Sequence, residues 1–188
     1  MNWKRGAVGV SAAGAVLIAA LEGFSALSEQ PLPGDKWTVG FGHTEDVKPG
    51  QQVTLQQALG MLKGDLELAS KTVTKYVCVP MTQNQFDALT SLVFNIGSAS
   101  FVASTLLKKL NAGDMDGVDT EWMRWKYFHG VAQKGLENRR AAELAVFHGK
   151  SIEAVVGDRL CFAGLGCLSY SDLLQEAGAV PDAADYGD

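Results

Sequence analysis

A chain of 188 residues can bury one good core but is short for two ordinary domains and a linker. With 47% hydrophobic residues, 20% charged residues and only 5 prolines, it is neither a mainly disordered chain nor a proline-rich linker. A net charge of −5 and a pI near 5.2 exclude a general nucleic-acid binder, which needs a concentrated basic face. The charge is unevenly placed: residues 151–188 carry seven acids against Arg159 alone, a charge of −6. Residues 1–150 carry 15 bases and 14 acids, a nearly neutral +1.

The chain opens Met-Asn-Trp-Lys-Arg, and Ala7 to Leu21 is then an uncharged run rich in Ala and Gly. Two cations before a short apolar run are the pattern of a secretory signal, but this run is shorter than the ~20 residues that span a bilayer. Three readings stand side by side: a buried first helix, a cleaved signal, or a weak uncleaved signal anchor able to leave the membrane. Residues 28–50 are rich in Gly and Pro, and within them Trp37-Thr38-Val39-Gly40-Phe41-Gly42-His43 has the content of short strands broken by glycines. A small hairpin or three-stranded sheet is expected there, and helix everywhere beyond.

Thr54 to Val77 places Leu55, Ala58, Leu59, Leu62, Leu66 and Leu68 at mainly three- and four-residue spacings, with Thr54 as N-cap. Thr82-Gln83-Asn84-Gln85 is a capping-box pattern that opens a helix from Gln83 to Ile96, which Gly97 stops. Further helices are expected at Phe101–Leu110, Asp116–Tyr127 and Leu136–His148. The order describes an α+β arrangement, a small sheet lobe and a mainly helical lobe flanking a cleft. Residues 1–21 form the apolar N-terminal segment, 22–149 the body and 150–188 an acidic extension with enough apolar residues to dock on it.

Glu22 closes the apolar run, and a carboxyl held against apolar surface is pushed toward the range of a general acid; the competing reading is a solvated glutamate at a helix end. Thr38 and His43 bracket the glycine-rich strands, and His43 reads as structural rather than as a base. Arg139 is either an arginine facing a buried glutamate or half of a local surface pair with Glu143, four residues on. The tryptophans Trp3, Trp37, Trp122 and Trp125 read more as core than as a sugar platform. Cys78, Cys161 and Cys167 offer no CxxC pair and no metal set. Cys161 and Cys167 could close a small loop in an oxidising compartment.

Glu22-Gly23, Trp37 to Thr44, Thr82 to Leu89, Phe94-Asn95-Ile96-Gly97, Ser104-Thr105-Leu106-Leu107 and Asn111-Ala112-Gly113-Asp114 together resemble the phage-type lysozymes (endolysins) of the T4-lysozyme family. Trp125 to Gly149 is similar to that family's last helical part. Six ordered motifs over about residues 20–149 make the resemblance specific. It implies a lysozyme-like fold and a cofactor-free, metal-free muramidase. The substrate would be the β-1,4 bond between N-acetylmuramic acid and N-acetylglucosamine in peptidoglycan glycan strands. Glu22 matches the general acid and Thr38 the active-site threonine. Arg139 matches the arginine near the acid, and Phe94 and Asn95 the lining of the saccharide groove.

A second carboxylate would position the attacking water for inversion. The family's aspartate, six residues before the threonine, falls on Leu32 here, and aligned from either side its slot lands on Gln30 or Pro31. Asp35 and Glu29 are the nearby acids, and Asp35 is taken as the candidate because it is nearer Thr38. Its departure from the pattern keeps open a lytic transglycosylase using Glu22 alone and a catalytically inactive peptidoglycan-binding protein. The resemblance extends to signal-anchor-release endolysins. It implies a monomer exported to the periplasm through transient inner-membrane association of residues 7–21, with cytoplasmic retention until holin-mediated release as the alternative.

Overall fold

A computed structural model describes residues 9–30, 32 and 34–179. Trp3 and the start of the apolar run lie outside the described residues. The chain divides into two compact units: one takes the chain up to Gly14 together with Leu66–Val155, the other Ala15–Asp65 together with the chain from Val156.

The first helix, α1 (Ala12–Glu22), begins in the first unit and lies mostly in the second. Ala15, Val16, Leu17, Ile18 and Ala19 are all buried. Five successive positions at 3.6 residues per turn reach every side of a helix, so α1 is a core helix rather than an amphipathic surface one. At its start, Gly14 is required by close approach. A Cβ there would sit 2.5 Å from the carboxyl carbon of Asp87, whose side chain accepts from the Ser11 backbone N–H at 3.0 Å. No described helix is both long and apolar enough to cross a membrane.

In the second unit α1 leads into an antiparallel pair, β1 (Ser25–Glu29) and β2 (Thr38–Gly40), in which Ser25 faces Gly40 and Glu29 faces Thr38. The pair is extended by single bridges, Leu27 to Gln52 and Val39 to His43. Gly40 has φ +66°, and a Cβ on it would lie 2.9 Å from that of Ala58, so the glycine serves close approach of the strand to the following helix, α2. This helix (Leu55–Tyr76) has Thr54 as its cap, with the Gln57 N–H donating to Thr54 Oγ1 at 3.2 Å. Its expected apolar face holds except at Leu68, which is 68% exposed: it stands two residues beyond Leu66, and two residues turn a helix to its opposite side.

The first unit is mainly helical. Its α3 (Gln83–Ile96) carries the complete Thr82/Gln85 capping box and ends at Gly97. The helix expected over Phe101–Leu110 is instead two short ones, α4 (Ser98–Ala103) and α5 (Thr105–Asn111). Ser104 between them has extended ψ of 151° and accepts from the Leu107 N–H, so it caps a new helix instead of continuing the old one. The helix expected over Asp116–Tyr127 is α6 (Met115–Met123), with a 3-10 turn at Arg124–Lys126. Tyr127 then begins a strand: β3 (Tyr127–Phe128) and β4 (Val131–Ala132) form a hairpin across His129-Gly130, both with positive φ. Last comes α7 (Lys134–Phe147).

Helix alone does not describe the rest of the chain. After α8 (Ile152–Val156), β5 (Arg159–Phe162) and β6 (Gly166–Ser169) form a further hairpin with strands of four residues each, followed by α9 (Tyr170–Ala179). Cys161 faces Cys167 across this hairpin and the two form a disulfide. From Val156 on, this extension belongs to the same compact unit as Ala15–Asp65. Leu160, Phe162, Leu173 and Ala177 supply its buried side.

Candidate active site

Glu22 is the last residue of α1 and is half-buried. The N–H of Gly23 donates to the Ala19 carbonyl at 3.2 Å, and its φ of +76° turns the chain out of the helix. Glycine alone adopts that conformation without a Cβ penalty, so the Glu22-Gly23 pair places a carboxyl at a sharp helix end. Phe24 follows and is buried, and β1 begins at the next residue.

Thr38 opens β2, half-buried, opposite Glu29. Its hydroxyl donates to the Glu29 backbone carbonyl at a long 3.4 Å. The Glu29 carboxylate is exposed and accepts from the Ser25 hydroxyl at 2.6 Å. Asp35 is exposed in the connecting turn, where its N–H donates to the Leu32 carbonyl at 3.0 Å. Its own carbonyl accepts from the Gln30 side-chain amide at 2.9 Å. Of the two positions onto which the acid slot falls, Pro31 lies outside the described residues, and Gln30 is a neutral side chain that bridges the turn. Glu22, Glu29, Asp35 and Thr38 all belong to one compact unit, and Glu29 and Thr38 are brought together as register partners.

His43 exchanges backbone hydrogen bonds of 3.0 Å with Val39, and its ring nitrogen Nδ1 lies 2.8 Å from Asp65 Oδ2. Burial pushes the Asp65 carboxyl above its usual range, and the hydrogen bond from His43 partly offsets that push. The pair anchors the turn after β2 to α2, the structural role expected of His43.

The other resemblance-derived residues lie in the helical unit. On α3, Phe94 is half-buried and Asn95 exposed. On α7, Arg139 pairs with Glu143, Nε to Oε1 at 3.0 Å, but this is no surface pair: their side chains are 7% and 0% exposed. Arg140 joins them, with Nε 3.2 Å from Glu143 Oε2, and its Nη2 donates to Asn95 at 2.7 Å. Glu143 also accepts from the Ser91 hydroxyl at 2.8 Å and from the indole N–H of Trp122 at 3.1 Å. Arg140 thus holds Asn95. Sequence reasoning missed Ser91, Glu143 and Arg140 as a cluster. The spacing of Arg139, Arg140 and Glu143 was visible, but their burial depends on Ser91 and Trp122 from other helices. Trp122 is core, fully buried against Phe147. Among the described residues no group of three His, Cys, Asp or Glu side chains could hold a metal ion.

The family model described as Phage lysozyme matches residues 19–143. An endolysin of Acyrthosiphon pisum secondary endosymbiont phage 1 is 42% identical over 142 residues, covering 73% of this chain and 97% of the relative. A SAR-endolysin of Enterobacteria phage P21 is 36% identical over 124 residues, covering 65% of this chain and 74% of the relative. Among solved structures, the muramidase domain of SpmX from Asticaccaulis excentricus superposes with a TM-score of 0.69 at 37% identity, covering 73% of this chain and 96% of that domain.

Proposed function

The chain belongs to the phage lysozyme family of glycoside hydrolases, and on that premise we propose that it is a muramidase cleaving the β-1,4 bond between N-acetylmuramic acid and N-acetylglucosamine. The observation that carries this reading is Glu22, a half-buried carboxyl at a glycine-turned helix end, in the same compact unit as the strand opened by Thr38. In this mechanism Glu22 protonates the departing glycosidic oxygen. Thr38 and a carboxylate hold the water that attacks the opposite face of the sugar, and the anomeric configuration inverts. Asp35 is assigned that second role: it stands three residues from Thr38 on the loop joining the paired strands, whereas the Glu29 carboxylate is engaged by Ser25. Phe94 and Asn95 line the saccharide site, with Asn95 held by Arg140.

Mass spectrometry of digested peptidoglycan tests the reaction. Reducing N-acetylmuramic ends are expected. 1,6-Anhydro ends would instead show a transglycosylase using Glu22 alone, and intact glycan that still pulls down the protein would show a binding protein. Asp35→Asn is expected to abolish hydrolysis while Glu29→Gln retains it, and the reverse result would exchange their roles.

The likeness to SAR-endolysins supports export through the weak apolar run followed by release from the membrane. On release the segment folds as the buried helix α1 and brings Glu22 into place, so membrane-tethered enzyme is inactive. Fractionation of expressing cells is expected to find membrane-bound and periplasmic protein. Protein confined to the cytosol with the host secretion route intact would contradict this route.

A further inference from the structure

Phe162 lies on β5, beyond the residues 19–143 that the family model matches, yet it packs on the two phenylalanines next to the candidate catalytic groups. Its ring centroid is 6.3 Å from that of Phe24 and 5.8 Å from that of Phe41, and those two are 5.4 Å apart. All three rings are buried, at 7% exposure or less. Phe24 follows Glu22 by two residues, and Phe41 follows Thr38 by three. The tilted and edge-on arrangement of the three rings is the favourable one for aromatic clusters.

We propose that Phe162 is a positioning residue, holding the segments of Glu22 and Thr38 through Phe24 and Phe41, and that the Cys161–Cys167 disulfide keeps Phe162 in place. The proposal rests on Glu22 and Thr38 being the catalytic pair. A lone two-stranded hairpin is marginal in water, and β5 and β6 have only four residues each. The disulfide closes their ladder one position from Phe162, at the register pair Cys161 and Cys167. Alternation along β5 buries Leu160 and Phe162 and leaves Arg159 and Cys161 exposed. The disulfide therefore sits on the solvent side, where reagents reach it without opening the aromatic cluster.

The bond forms by exchange. One cysteine thiolate attacks an external disulfide, of a protein or a small molecule, releasing one of its sulfurs as a thiolate; the second cysteine then attacks the resulting mixed disulfide and expels the partner's other sulfur. The two thiols give up two protons and two electrons, and the external partner leaves reduced, as a dithiol if its disulfide was internal to one molecule and otherwise as two thiols. Full activity accordingly requires an oxidising compartment. This extension, absent from the family match, thereby ties the chemistry to the place where peptidoglycan is met.

The test measures kcat and KM of oxidised wild type, Phe162→Ala, Phe162→Leu and the double variant Cys161→Ser/Cys167→Ser on soluble glycan fragments, well below each protein's Tm. Displacement of catalytic groups by a fraction of an ångström lowers rate rather than binding, so Phe162→Ala is expected to lose about tenfold in kcat at nearly unchanged KM. Phe162→Leu should recover most of that loss. Dithiothreitol should slow the wild type and Cys78→Ser but leave the already slow double cysteine variant unchanged. Wild-type kcat per folded molecule in Phe162→Ala, or in the double cysteine variant, would overturn the proposal. If Phe162→Ala does not fold, Phe162→Leu and the dithiothreitol comparison decide. An inactive oxidised wild type would overturn the hydrolase reading, and this proposal with it, whereas an active wild type with unaffected variants overturns only the role of Phe162.

Discussion

The two compact units hold their candidate functional residues by opposite physical means. In the helical unit, Asn95 is fixed by Arg140, itself part of a buried charge cluster centred on Glu143. In the other unit, the segments of Glu22 and Thr38 are flanked by a wholly apolar cluster of three phenylalanine rings. A buried ion cluster is directional but fails sharply when one member is removed, because the remaining charges stay out of water. An aromatic cluster is less directional and degrades in proportion to the volume lost. The charged arrangement suits a side chain, Asn95, that must point one way. The apolar one suits a helix end and a hairpin that must be kept at a fixed spacing.

Removing Glu143 is the strongest way to break this contrast. Glu143→Ala leaves two buried guanidinium groups and the Trp122 N–H without their shared carboxylate, and should cost about 3–5 kcal/mol in urea unfolding. Stability close to wild type would mean that the cluster is solvated or already compensated. Ser91→Ala removes the 2.8 Å hydrogen bond to Glu143 and a long 3.4 Å one from Arg139, and should cost about 1.5–3 kcal/mol in the same measurement. A loss as large as that of Glu143→Ala would show that the cluster depends on the hydroxyl rather than on its charges.

The smallest effect concerns pH. Burial pushes the Asp87 carboxyl above its usual range, and hydrogen bonds from Ser11 and Gln83 only partly oppose it. The folded chain thus holds this proton more tightly than the unfolded chain does. That contribution is fully present below the ordinary carboxylate range and is lost as pH rises through the raised folded value. Stability of the wild type should therefore fall across this acidic window relative to Asp87→Asn, which has no such proton. Parallel stability curves would contradict a raised Asp87.

Local chemistry was readable where a local pattern has a single structural meaning. The Thr82/Gln85 capping box and the Thr54 cap are set by side chains three residues apart, and the stop at Gly97 by a glycine at φ +85° whose N–H reaches the Val93 carbonyl; each stands where the sequence places it. The break at Ser104 was also locally encoded, yet a serine between two apolar runs serves equally as a helix residue or as a cap. The hairpins β3–β4 and β5–β6 have strands of two and four residues, too short for an alternating pattern to stand out. The Arg139–Glu143 spacing suggested a surface pair because the burying groups, Ser91 and Trp122, are distant in sequence. The packing of Phe162 on Phe24 and Phe41 is equally non-local, and nothing near it in the chain signals it.

Glu22 is the centre of the account, and its substitution by glutamine is the most direct test because it removes the proton while keeping the shape. In a turbidity assay on permeabilised bacteria, Glu22→Gln should clear cells about 10²–10⁴-fold more slowly than wild type, with unchanged circular dichroism and unchanged co-sedimentation with cell walls. A Glu22→Gln protein that clears cells at the wild-type rate would contradict the account.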